Sequence, residues 1–196
     1  MTTSWQLKRI GTGRVTTDHA PKYERVERER KFLLRELPPD LKTSDPHAQV
    51  TDNYITNTRL RLRKSRWPST NEWTLKLTQK YAPDPEDLSH TLITSIYLTE
   101  DEYEVLSIFE GNEIRKNRYP YEFEGRRYGI DMFLGSLFGL ILAETDFETD
   151  EEMEGFAPPP FAFMDVTNDP LFTGGSLVNL SFEDLRREME KRLKGE

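Results

Sequence analysis

The sequence predicts an α+β fold, an eight-stranded antiparallel β-barrel with flanking helices. Three observations predict it. Segments of alternating apolar and polar residues, the period of a strand, recur between residues 23 and 147 with turn residues between them. The polar faces are not the usual solvated mixture: Arg59, Arg61 and Arg63 stand in one row, and Glu27 and Glu29 in another. Like charges in a row repel and need a shared counter-charge. Acidic segments also lie at both ends of the stretch, and closing a sheet joins its first and last strands with one face of each inside. The charged faces are therefore expected inside, as a wet tunnel.

The chain has 196 residues, enough for one domain with a real core. Residues 1–22 read as an extension with no assigned role, and residues 23–196 as the barrel domain. Hydrophobic residues make up 35% and charged residues 32%, and the net charge of −8 argues against a general nucleic-acid binder. With no cysteine there is neither a disulfide framework nor a thiolate metal site. His19, His47 and His90 form no ligand spacing. No apolar run approaches the roughly 20 residues of a membrane span, and the start lacks the apolar core of a signal peptide. The expected location is the cytoplasm.

The first strand covers 23–34, with Glu27, Glu29 and Lys31 on one face and Phe32 and Leu34 on the other. Pro38, Pro39 and Pro46 mark a loop. Strands are expected at 49–57, carrying Tyr54, at 58–64, and at 72–81, where Lys76 and Lys80 share a face. A charge-free strand follows at 91–98. Thr99 and Glu102 form a capping box for a helix from about 100 to 110, stopped by Gly111. Strands at 113–121 and 126–133 form a hairpin, with Asp131 facing Lys116 and Arg118. The strand at 139–147 turns from Leu140 and Leu142 to Glu144 and Asp146 along one face. Thr149 opens a short helix ending near Gly155, residues 163–178 read as loop and turns, and Ser181 caps a last helix with Phe182, Leu185, Met189 and Leu193 on one stripe.

The polar faces collect acids (Glu27, Glu29, Asp131, Glu144, Asp146) and bases (Lys31, Arg59, Arg61, Arg63, Lys76, Lys80, Lys116, Arg118). Oxygen ligands without Cys or His select Mg²⁺, Mn²⁺ or Ca²⁺ over zinc. Arginine forks and lysines bind phosphate oxygens. Together they suit a metal–polyphosphate.

Glu27-x-Glu29-x-Lys31 resembles the ExExK signature of the CYTH superfamily, the triphosphate tunnel metalloenzymes. Arg61-Leu62-Arg63, Lys76, Lys116-Asn117-Arg118-Tyr119, Ile130-Asp131-Met132-Phe133, Leu142 to Phe147, Pro158-Pro159-Pro160 and Asp165 to Asp169 resemble its later elements in order. The resemblance implies the triphosphate tunnel fold and hydrolysis of a triphosphate with Mg²⁺ or Mn²⁺, in a monomer or homodimer whose partner is a triphosphate-containing small molecule rather than nucleic acid or membrane. It places Glu27, Glu29, Asp131, Glu144 and Asp146 at the metal. It places Arg61, Arg63, Lys76, Lys116 and Arg118, with Arg59 as an additional arginine, at the phosphates. Lys31 binds phosphate or orients the attacking water, and Tyr54 supports catalysis. Two stretches depart from the pattern: TLITSIYL carries no acid where relatives often do, and Pro170 to Gly174 replace a basic residue, Tyr and Asn. Adenylyl cyclase of the same fold and a non-catalytic polyphosphate- or nucleotide-binding module are the alternatives.

Overall fold

The computed structural model describes residues 24–194. The predicted 1–22 extension and the side chain of Leu193 lie outside the described residues. Eight strands form the barrel: β1 (Arg25–Leu34), β2 (Ala48–Ile55), β3 (Leu60–Trp67), β4 (Glu72–Tyr81), β5 (His90–Tyr97), β6 (Gly111–Phe123), β7 (Arg126–Phe133) and β8 (Ile141–Phe147). All neighbours are antiparallel, in the order β5-β4-β3-β2-β6-β7-β8-β1, and pairing of β1 with β5 closes the ring. A two-residue strand, β9 (Met164–Asp165), adds to β1 beyond its contact with β5.

The helices are short and peripheral: α1 (Glu100–Leu106), α2 (Asp150–Glu154), α3 (Gly174–Leu177) and α4 (Phe182–Lys194). Among the described residues no helix is long and apolar enough to cross a membrane.

The elements depart from the sequence reading where a contact outweighs a local signal. The capping box of Thr99 and Glu102 forms, but α1 ends at Leu106, with Ser107 as its C-cap, rather than near residue 110. Gly111 starts β6 instead of stopping the helix. A Cβ there would lie 2.1 Å from Asn53 Oδ1 and 2.3 Å from the Tyr54 carbonyl, so glycine allows β6 to approach β2. β3 starts at Leu60 and runs to Trp67 because residues 56–59 form the preceding turn, with Asn57 at φ 58°. β8 starts at Ile141, since Gly139 sits at φ 107°. Segment 163–178, read as loop, holds β9, a 3-10 turn at Pro170–Phe172 and α3.

Alternation sends Glu27, Glu29 and Lys31 of β1 inward and Phe32 and Leu34 outward. With the lumen charged, one apolar core lies on the outer face of the barrel. Phe32, Tyr119, Tyr128 and Ile130 are covered there by Phe156 and Phe161. The Phe161 ring meets Tyr128 edge-on at 5.3 Å. Phe32 is wholly buried, so Phe32→Ala is expected to cost about 3–5 kcal/mol, read as a lowered urea midpoint at unchanged slope. A loss below about 1 kcal/mol would mean that this layer is not a core.

A second core closes one end of the barrel. Ile114, Phe133 and Leu142 meet Val166, Phe172, Leu177 and Leu185 of the C-terminal segment. The predicted stripe on α4 thus packs through Leu185, with Met189 against the same cluster.

A charged tie holds the seam where β1 meets β5. His90 bonds Asp87 through Nδ1 at 2.6 Å and Asp150 of α2 through Nε2 at 2.8 Å, and Arg28 shares Asp150. The hydrogen bond to Asp150, and then Asp87, raises the His90 pKa. The protonated ring therefore adds stability in full below its ordinary value of 6.5, and that contribution is lost as pH rises through the raised folded value. The melting-temperature gap between wild type and His90→Asn should narrow from about pH 5.5 to 8.5. A gap that widens over that range contradicts the tie.

Candidate active site in the barrel lumen

The strand registers place the charged residues in two walls. Arg61 and Arg63 of β3 stand opposite Tyr54 and Asp52 of β2, and Arg63 also pairs with Lys76 of β4. Lys116 and Arg118 of β6 enter beside them, completing a basic wall. On β1 and β8, Glu29 pairs with Asp146 and Lys31 with Glu144, and with Glu27 these form an acidic wall. Between the walls lies a cavity of about 700 Å³.

The basic wall is anchored from behind. Asp52 is buried and takes Arg63 with both oxygens, at 2.6 Å from Nε and 2.7 Å from a terminal nitrogen. Burial alone would raise the Asp52 carboxyl, but Arg61 and Arg63 outweigh it and hold it well below the usual range. Asp131 is wholly buried and accepts from Lys116 Nζ at 2.5 Å and from Arg118 Nε at 2.6 Å. Gly129 of β7 lies beside the Arg118 guanidinium, where a Cβ would make only ordinary contact at 3.4 Å from Nε. These bases line the cavity. Arg61 Nε is buried without a hydrogen-bond partner, 3.7 Å from Asp52. Burial, and then the nearby Arg63 and Arg61 charges, depress the Lys76 pKa.

The acidic wall is only partly neutralised. Lys31 Nζ lies 3.4 Å from both Glu29 and Glu144, and Arg118 also contacts Glu144. Lys80 reaches Glu27. Burial alone would raise Glu144, yet Arg118 and Lys31 hold it well below the ordinary range. Asp146 goes the other way: burial, then Glu29, Glu27 and Glu144, push its carboxyl up to about 6. Among the described residues no three acids yet converge on a ready-made cation site, because lysines lie between them. Glu27, Glu29, Glu144 and Asp146 are nonetheless adjacent oxygen donors whose charge is only partly compensated, a donor set that fits a hard divalent cation.

The walls are built on a fold shared with known proteins. An inorganic triphosphatase of Acetivibrio thermocellus is 33% identical over 103 residues, 47% of this chain and 64% of that protein's length. An inorganic triphosphatase of Nitrosomonas europaea is 27% identical over 160 residues, 78% of this chain and 97% of that protein. The crystal structure of the inorganic triphosphatase NE1496 aligns with a TM-score of 0.51 at 25% identity, over 78% of this chain and 93% of that one. No protein-family model matches the sequence. The closed barrel matches the triphosphate tunnel fold, and these similarities are consistent with the CYTH superfamily.

The barrel brings most of the predicted residues to one cavity. Glu27, Glu29, Lys31, Tyr54, Arg59, Arg61, Arg63, Lys76, Lys116, Arg118 and Glu144 all line it. Arg59 lies in the turn before β3, with its guanidinium 4.5 Å from the centre of the Tyr81 ring. Asp131 lies behind Lys116 and Arg118 instead of at the lumen surface, and Asp146 lies beside the lining, opposite Glu29. Tyr54 faces the C-terminal segment, where a Cβ on Gly174 would fall 1.8 Å from its hydroxyl, so only glycine leaves that ring its place.

Sequence reasoning missed Asp52. Its signal was present: it stands two residues before Tyr54 and so shares the inner face of β2. The contribution of Thr167, Thr173 and Gly174 to the lining also went unread. No strand period marks that segment.

Proposed function

We propose that this barrel hydrolyses a linear triphosphate in its lumen with the help of Mg²⁺ or Mn²⁺. Inorganic tripolyphosphate is the first substrate to test, followed by nucleoside and thiamine triphosphates. One observation carries the reading: a row of bases from β3, β4 and β6 and a row of carboxylates from β1 and β8 line the same cavity. Lys76 is depressed on the basic side, and Asp146 is pushed up to about 6 on the acidic side. A polyanion laid against one wall and a cation against the other relieves both. The relatives named inorganic triphosphatase support the same reading.

Glu27, Glu29, Glu144 and Asp146 would hold the cation, which when bound supplies charge neutralisation to the phosphate oxygens. Arg61, Arg63, Lys76, Lys116 and Arg118 bind the remaining oxygens and stabilise charge as the terminal phosphorus is attacked by water and pyrophosphate leaves. Asp52 and Asp131 hold four of these bases in place, so their positions are set before substrate arrives. Asp131 thereby acts as a base anchor in this reading rather than as a metal ligand. Lys31 is opposed by burial, but Glu29 and Glu144 raise its pKa, so it stays an ammonium. It can donate to a phosphate oxygen or to the water, and it cannot serve as the base. Tyr54 borders the same cavity from β2.

The test is product release from tripolyphosphate and from ATP with Mg²⁺, Mn²⁺ or EDTA. Orthophosphate released only with metal supports the reading. Pyrophosphate released from ATP favours a cyclase. Thermal stabilisation by tripolyphosphate without turnover favours a binding module.

A further inference from the structure

We infer that Lys80 is a tethered counter-cation of the acidic wall, held on Glu27 and Glu29 until a divalent cation displaces it towards the triphosphate. The inference rests on the metal-dependent reading above and adds to it a residue with two positions. Lys80 comes from β4 and shares its inner face with Lys76, a member of the basic wall. Its ammonium is not found there. It contacts Glu27 Oε2 and lies 3.9 Å from Glu29 Oε1, so it bridges to β1 across the intervening β5. β5 offers nothing to hold it on the way, since its lining residues are Thr91, Ile93, Ser95 and Tyr97. The charge-free strand is thus the gap that Lys80 spans.

Lys31 makes a useful contrast. It stands on β1 between Glu29 and Glu144 at equal distances, with 17% of its side chain exposed. Lys80 is 29% exposed and has one close partner. Lysine carries a compact charge on a flexible four-carbon stem, so such a group can change partners without a change in the fold. A divalent cation seated on Glu27 and Glu29 competes with that ammonium for the same oxygens. Once released, Lys80 still lines the cavity, and the nearest uncompensated negative charge is then the triphosphate. Metal and triphosphate binding should therefore reinforce each other through this side chain, in both directions.

The experiment is calorimetric titration of Mn²⁺ into wild type, Lys80→Met and Lys80→Arg without substrate. A second titration uses the non-hydrolysable imido analogue of tripolyphosphate at saturating Mn²⁺. Removing one partly exposed pairing charge should tighten Mn²⁺ binding by about three- to fivefold in Lys80→Met, while Lys80→Arg stays near wild type. The imido analogue should bind Lys80→Met more weakly. The opposite signs separate a two-position lysine from a structural one, which would weaken both. Mn²⁺ binding no tighter in Lys80→Met than in wild type overturns the inference and leaves the metal-dependent reading standing. Wild type that binds no Mn²⁺ overturns that reading, and the inference with it.

Discussion

Glu144→Gln should lower the turnover of tripolyphosphate by at least about 100-fold while leaving the fold intact. The side chain sits where the walls meet. Arg118 reaches it from the basic side and Lys31 from β1, at 3.4 Å. It is also one of the carboxylates whose charge raises Asp146. Glutamine keeps the shape and removes the charge, so the acidic wall loses a cation ligand and both bases lose a partner. Initial rates of phosphate release at saturating Mg²⁺, with a thermal melt as the folding control, measure this. A rate within about threefold of wild type would remove Glu144 from the cation-holding set and leave the reading without its central carboxylate.

Asp131→Asn should act on stability before it acts on chemistry. The carboxylate is wholly buried and holds Lys116 and Arg118. Removing one partner of such a group leaves buried positive charge uncompensated, at a cost of about 3–5 kcal/mol. Urea unfolding of the metal-free protein reads this directly. Mn²⁺ affinity should change little, because the residue stands behind the basic wall. If stability were unchanged and Mn²⁺ affinity fell instead, Asp131 would be a ligand and not an anchor.

The two residues also mark how far the sequence could be read. Alternation separates inner from outer faces, so the signature Glu27, Glu29 and Lys31, and the rows of Arg61, Arg63, Lys116 and Arg118, are legible as lumen residues. It does not say how deep a side chain sits. Asp131 and Glu144 look alike as acids on inward faces, yet one is sealed behind two bases and the other borders the cavity. Asp52 belongs with Asp131: alternation puts it on the inner face of β2, and the cross-strand register with Arg63 shows what it anchors. Gly111 carries an ordinary helix-stop signal, but its place is set by the packing of β6 on Asn53 and Tyr54. The C-terminal segment escaped for a different reason. β9 has two residues and α3 has four, too few to show a period, while their fixed positions come from Leu33, Ile114 and Phe133, distant in the chain.

The charge-free stretch 91–98, in and just beyond β5, and the altered 170–174 tail take physical meaning from the same structure. β5 leaves the acidic wall to β1 and β8, and Phe172 of the tail belongs to the apolar plug at one end of the barrel. Neither stretch interrupts the wall of bases.

Phosphorus NMR of tripolyphosphate incubated with the wild-type protein, with Mg²⁺ or with EDTA, tests the central claim most directly. Equal amounts of orthophosphate and pyrophosphate are expected, appearing with Mg²⁺ and absent with EDTA. Tripolyphosphate that stays intact with Mg²⁺, while still raising the melting temperature, would contradict that claim and make the lumen a site that binds without cutting.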